Sequence, residues 1–168
     1  MSFMPTPPEQ PAFSVHQDKH IISLTGEDVR DFLNDILTAQ ISTLASDTAR
    51  AACLLSPQGR ILFDMMVMAN ANTVFLITEA EQATPLAKRL TMYRLRRKIE
   101  ITVRSNLCAG HIWGEGHADF SVPNSCISAY DERHKALGKL VLFSETDGLP
   151  EQVDAKYRQA LRISLGVP

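Results

Sequence analysis

Three cysteines, Cys53, Cys108 and Cys126, are all this 168-residue chain holds, and no two form a C-x-x-C pair. Odd in number and widely spaced, they exclude a disulfide framework and predict reduced thiols, as found in the cytoplasm. Cys108 and Cys126 lie in apolar stretches and read as core thiols rather than reactive ones. No zinc spacing occurs either, since His111 and His117 flank Trp113 without ligand-like intervals; no metal site is expected. A run of about 18 apolar residues is missing, and a membrane span with it. Charge of one sign is not in excess: 17 basic and 19 acidic residues leave a net charge of -2. That balance excludes a dedicated nucleic-acid binder, which would be strongly basic. There is no G-x-S-x-G, H-E-x-x-H, Walker loop or G-x-G-x-x-G, so no catalytic residue is assigned.

What is present is ordinary globular material, 45% hydrophobic and 21% charged, in a chain long enough to bury a core. The opening MSFMPTPPEQPAF has neither a basic n-region nor an apolar h-region, so it is not a signal peptide. Its prolines predict a flexible leader over residues 1–12, with one folded domain over 13–168. KHIISLTGEDVRDFLNDILT reads as a strand and then a helix, with Thr25 as cap and Asp28 in the capping-box position. Val29, Phe32, Leu33, Ile36 and Leu37 make its apolar stripe.

A hairpin follows in LLSPQGRILFDMMVMA, with Pro57 presetting the turn and Gly59 supplying a left-handed position. Thr73 to Thr78 gives a further strand. A second helix carries Ala83, Leu86, Ala87, Leu90 and Tyr93 on one side, and Pro85 fits only in its first turn. Ile99, Ile101 and Val103 alternate as a half-solvated strand, and short strands fill the stretch from Asn106 to Phe143. A last helix opens at Pro150, with Val153, Tyr157, Ala160, Leu161 and Ser164 or Leu165 inward. Strands and helices mix without regular βαβ alternation. The fold class is therefore α+β with largely antiparallel sheet.

Two features could carry chemistry. Strand side chains alternate between faces, so Arg60, Leu62, Asp64, Met66 and Met68 share one side. A carboxylate in the middle of that apolar set is costly unless it is paired or hydrogen-bonded. A salt bridge to Arg60 or another arginine, or a place near a sheet edge, would account for it. So would a pocket for a flat apolar ligand whose N–H groups the carboxylate receives. The second feature, KRLTMYRLRRKIE, holds Lys88, Arg89, Arg94, Arg96, Arg97 and Lys98 with no acid before Glu100. It fits a solvated helix end, and equally an anion site for a carboxylate or phosphate tail.

Taken in order, LTGEDVRDFLNDILTAQISTL, LLSPQGRILFDMMV, LTMYRLRRKIEI and YRQALRISLGVP resemble the YgfZ proteins. These are folate-binding relatives of the glycine-cleavage T-protein that serve iron–sulfur cluster assembly and repair. The resemblance covers Ser14 to Pro168. It implies ferredoxin-like halves, a tetrahydrofolate ligand, and a pterin contact at Asp64 with Leu62 and Met66 as apolar walls. Arg94, Arg96 and Arg97 are the candidate contacts for the glutamate tail. Iron–sulfur assembly or client proteins are the implied partners.

The chain departs from the T-protein aminomethyltransferases, which show two adjacent acids where Phe63 precedes Asp64, and R-L-E-A-G where Arg162, Ile163 and Ser164 stand. LNDILTAQI likewise replaces the usual L-Q-G-Q-x-T-N-D-V. The first two differences argue against aminomethyl transfer, which remains the enzymatic alternative beside a ligand-free interaction scaffold; the third argues against a ligand role for that loop. The K-G-C-Y-x-G-Q-E hallmark is expected beyond Pro168, so the chain reads as an N-terminal portion. An apolar face left without its C-terminal partner would favour self-association.

Overall fold

A computed structural model describes residues 6–168. The chain forms two compact units: Asp18–Leu107 is one, and the segment up to Gln17 with Cys108–Pro168 is the other. Strand β1 (Ala12–His16) opens the second unit, and β2 (Lys19–Thr25) opens the first. The first unit continues through α1 (Val29–Ile36), β3 (Thr48–Leu55), β4 (Ile61–Asn70), β5 (Thr73–Glu79), α2 (Ala80–Tyr93) and β6 (Glu100–Val103).

Its strands pair antiparallel in the order β3-β4-β5-β2-β6. Read from β6 to β4, with α1 and α2 as connections, this is the split βαββαβ arrangement with β3 added beside β4. Both helices pack on one face. Val29, Phe32 and Leu33 of α1 and Leu86 and Leu90 of α2 close over Leu54, Met65 and Val67 of the sheet. The stripes expected from the 3.6-residue period are the ones buried. Each such side chain contributes about 1.5–3 kcal/mol of burial.

Two helix details differ from expectation. The cap position of α1 falls on Asp28, with no side-chain cap bond, because Thr25 still belongs to β2. Pro85 lies in the second turn of α2, not the first. The bond it cannot donate would have gone to the Glu81 carbonyl, and both residues are exposed. Water can satisfy that carbonyl, so the helix tolerates the proline.

The second unit adds β7 (Cys108–Trp113), β8 (Ile127–Asp131), a 3-10 turn (Lys135–Leu137), β9 (Lys139–Phe143) and α3 (Ala155–Ser164). The strands run antiparallel in the order β1-β7-β9-β8. Phe13, Ile112, Val141 and Phe143 form its core, with Phe13 and Phe143 edge-to-face at 5.1 Å between centroids. The Trp113 indole N–H donates to Ser14 Oγ at 3.0 Å.

Several expectations need correction here. Residues 1–5 of the expected leader lie outside the described residues; further along, the Pro8 carbonyl accepts from the Glu115 N–H, and Ala12 already belongs to β1. Helix α3 opens at Ala155 rather than Pro150, because the Asp154 carboxylate accepts from the Lys156 N–H and caps it there. That start turns Arg158 and Leu161 inward and leaves Tyr157 exposed. Cys108 is exposed at the first position of β7, so it is not a core thiol.

Gly138 joins the 3-10 turn to β9 at φ 80°, and a Cβ there would stand 1.9 Å from the Ile112 carbonyl oxygen. Both the backbone conformation and the space demand glycine. Gly138→Ala is expected to lower stability by more than about 2 kcal/mol, read as a lower urea midpoint by Trp113 fluorescence. An unchanged midpoint would show that β7 and β9 can separate freely at this point.

Candidate functional site

The β3–β4 hairpin is built as its sequence implies. The Gly59 N–H donates to the Ser56 carbonyl and the Ser56 N–H to the Arg60 carbonyl, while Gly59 takes φ 80°. The Ser56 hydroxyl accepts from the Gln58 and Arg60 N–H groups at 3.2 Å each. This turn, with the register shift between Leu54 and Leu55, sets which side chains of β4 face which way. Phe63, Met65, Val67 and Ala69 go to the helical core. Leu62, Asp64 and Met66 therefore stand on the opposite face.

Leu62 and Met66 are half-buried and Asp64 is exposed. Of the readings the sequence left open, the enclosed apolar pocket is the one corrected: Asp64 reaches water. The pairing of β4 with β5 ends at Met66–Ile77, and the Thr78 hydroxyl secures the Asp64 carbonyl at 2.9 Å. Among the described residues, no hydrogen bond or ion pair engages the Asp64 carboxylate. Arg60 does not neutralise it.

Cys53 is the cross-strand partner of Asp64. Burial, and then the Asp64 charge, push its thiol above the ordinary range. It stays protonated at neutral pH and is no nucleophile. The Asp64 surface is thus an acceptor carboxylate flanked by a neutral thiol, a thioether and a leucine.

Arg94, Arg96 and Arg97 occupy the turn after α2. Arg94 Nη1 donates to the Ile99 carbonyl, and Arg97 Nη2 to Asp35 Oδ2 at 2.8 Å. Arg96 is exposed. Together with Thr25, Gly26, Leu95 and Lys98, Arg94 and Arg97 line an open hollow of about 500 Å³.

The hollow does not adjoin Asp64. Met66 is level with Ile77 and Ile21, so Asp64 is level with Lys19, six residues along the strand direction from Thr25. At about 3.3 Å per residue that is roughly 20 Å, with two strand spacings of about 4.8 Å across. The structure therefore separates the two groups of candidate residues to opposite ends of one sheet.

One arrangement was not read from the sequence. In the second unit Asp131, 2% exposed, accepts from three side chains. Arg133 binds both its oxygens, Nε to Oδ1 at 2.9 Å and Nη2 to Oδ2 at 2.7 Å. His111 Nε2 and Arg158 Nη2 approach Oδ2 at 3.1 and 3.3 Å. Burial alone would raise the Asp131 carboxyl, but Arg133 and His111 outweigh it and hold the group well below its usual range.

Burial, and next the Arg158 charge, lower His111 far below an ordinary histidine, so it is neutral at pH 7. A carboxylate only accepts, so the neutral ring carries its proton on Nε2. Its Nδ1 then accepts from His16 Nε2 at 2.7 Å. The signal missed was Arg158 within an otherwise apolar helical stripe.

The fold is that of a glycine-cleavage T-protein. The chain superposes over 96% of its length, with a TM-score of 0.76, on the glycine cleavage system aminomethyltransferase T from Bartonella henselae, at 15% identity and over 52% of that chain. In sequence it is 27% identical over 149 residues, 84% of its length, to the iron–sulfur cluster assembly factor IBA57 homolog, mitochondrial, of Pyricularia oryzae. No protein-family model matches it. Together these findings bear out the resemblance to YgfZ-type, T-protein-like proteins drawn from the motifs. It spans 38% of the fungal protein's length. Among the described residues no helix is long and apolar enough to cross a membrane.

The buried network makes stability depend on pH, with two signs to check. The folded His111 resists a proton that the unfolded chain accepts below about pH 6.5, so stability falls as pH drops from there. Asp131 is held ionised in the fold, and its contribution, present above about pH 4, is lost as pH falls further. His111→Gln should remove up to about 1.4 kcal/mol per pH unit of slope between pH 6 and 5, measured by urea unfolding at each pH. Asp131→Asn should cost about 3–5 kcal/mol at pH 7, because it leaves Arg158 buried without its anion.

Proposed function

We propose that this chain is part of an iron–sulfur cluster assembly or repair factor that binds a reduced folate, tetrahydrofolate, at the β4 surface. The observation that carries the reading is an unpartnered Asp64 carboxylate between half-buried Leu62 and Met66, on a T-protein fold. A pterin presents adjacent N–H donors on a flat ring, and a carboxylate can accept two of them side by side. Thioether and leucine side chains suit the ring faces. The protonated Cys53 adds no competing charge.

The fit is with an open site. Asp64 is hydrated and must exchange water for the ligand's N–H groups, so the apolar walls must supply a large share of the affinity. A glutamate tail running to Arg94, Arg96 or Arg97 would have to cross roughly 20 Å of sheet. The ring and those arginines are therefore read as separate contacts, and the tail assignment belongs to a ligand with an extended chain. Aminomethyl transfer is the second reading, favoured by the fold it shares with the Bartonella enzyme; Phe63 in place of a second acid argues against it. Free thiols suit a reducing compartment such as the cytoplasm, and the fungal relative is named as mitochondrial.

Titration calorimetry with tetrahydrofolate tests the ligand. Asp64→Asn is expected to weaken binding about 10- to 100-fold, the loss of a charged hydrogen-bond acceptor. Equal affinity in the mutant, or no saturable binding by the folded parent, would remove folate from the reading. Loss of iron–sulfur enzyme activity in cells depleted of the protein would support the assembly role, and its persistence would refute that role.

A further inference from the structure

The turn after α2 displays two large apolar side chains that the fold does not use. Leu95 is 85% exposed and Met92, three residues earlier, 68% exposed. Leu95 also takes φ 52° and is the only described residue other than glycine with positive φ. A leucine in the left-handed region costs about 1–2 kcal/mol, and here no burial offsets it.

The turn is nonetheless held firmly. The Arg94 guanidinium donates inward to the Ile99 carbonyl, and Ile99 is buried. Arg97 pairs with Asp35 and lies 5.6 Å over the Phe32 ring. The Arg97 N–H donates to the Arg94 carbonyl, and the Ile99 N–H to the Arg97 carbonyl. With Arg94 and Arg97 so engaged, Leu95, Arg96 and Lys98 are left exposed beside them. Next to these opens the hollow, where Arg94, Arg97 and Lys98 outnumber the one acid of its lining, Glu100. Lys88 to Lys98 holds six cations and no acid in a chain whose net charge is -2.

We propose that this end of the first unit is a docking surface for an acidic segment of a partner protein. Carboxylates of the partner lie against Arg96 and Lys98 and at the hollow, and an apolar side chain among them covers Leu95 and Met92. Apolar contact surrounded by charge is the make-up of a specific interface, with the charges steering approach and the leucine setting residence. The surface stands roughly 20 Å along the sheet from Asp64. It is independent of the pterin contact at Asp64 and shares with the folate reading only the arginines offered to an extended glutamate tail.

The test is fluorescence anisotropy of a labelled peptide repeating Glu-Leu-Glu-Glu, titrated with the whole chain at low and moderate salt. Saturable binding that weakens with salt is expected. Leu95→Asn removes the apolar tip while favouring the left-handed backbone. It should leave thermal stability equal or higher yet weaken the peptide about tenfold, as should Lys98→Glu. Asp64→Asn should bind the peptide as the parent does.

Any of four results overturns the proposal. They are absence of saturation, equal binding by the Leu95→Asn and Lys98→Glu variants, competition by inorganic phosphate as effective as by unlabelled peptide, and binding to phosphatidylserine vesicles without binding to the peptide. The third would leave a simple anion site, and the fourth a membrane surface.

Discussion

The two-residue alternation of β4 is the constraint from which the site follows. Met65 and Val67 must enter the core beneath α1 and α2, where they meet Phe32, Leu33, Leu86 and Leu90. A slip of one residue would send the methionine and valine to the other face and drive the carboxylate of Asp64 into that core. The Ser56–Arg60 turn and the bulge at Leu54/Leu55 prevent it. Asp64 is thus displayed as a consequence of core packing, and any ligand role has been fitted to a position the fold already fixes.

The second unit relies on a different kind of glue. Beside its apolar residues it places Asp131, His111 and Arg158 in the interior as one hydrogen-bonded group. Buried ion pairs of this sort add little net stability compared with well-packed apolar residues, but they are strict about geometry. Here the group ties β7, β8 and α3 together through one carboxylate. His111 is held neutral, since Arg133 and Arg158 already set two cations against the single anion and a third would add repulsion in a buried site. The network makes this unit sensitive to acid well above the range in which ordinary carboxylates titrate.

Much of this was legible in the sequence because periodicity reports burial. The stripes of α1 and α2, the hairpin with Gly59, the strand from Thr73 and the antiparallel α+β class are as their residues imply. The motifs in order pointed to the T-protein fold. The failures have physical reasons as well. Alternation tells which residues share a face but not how far along the sheet water reaches, so Asp64 looked dry. Arg158 was invisible because the charge that makes it welcome inside, Asp131, is 27 residues away in sequence. Helix α3 was started too early because proline at a first turn is a weaker signal than the Asp154 side chain that caps it.

The placement of the two charged regions carries a last consequence. A carboxylate at one end of the β2–β5–β4 sheet and a cationic, leucine-tipped turn at the other cannot serve a compact ligand together, yet they share one rigid scaffold with a common core. Binding at either surface is then energetically separate unless the sheet itself deforms, and close-packed sheets deform little. On the two proposals above, the acidic and basic ends are two surfaces of one part, one offering an acceptor to a small molecule's N–H groups and the other receiving anions. A factor that handles a ligand while held by another protein needs that arrangement, because the two contacts must not compete for the same residues.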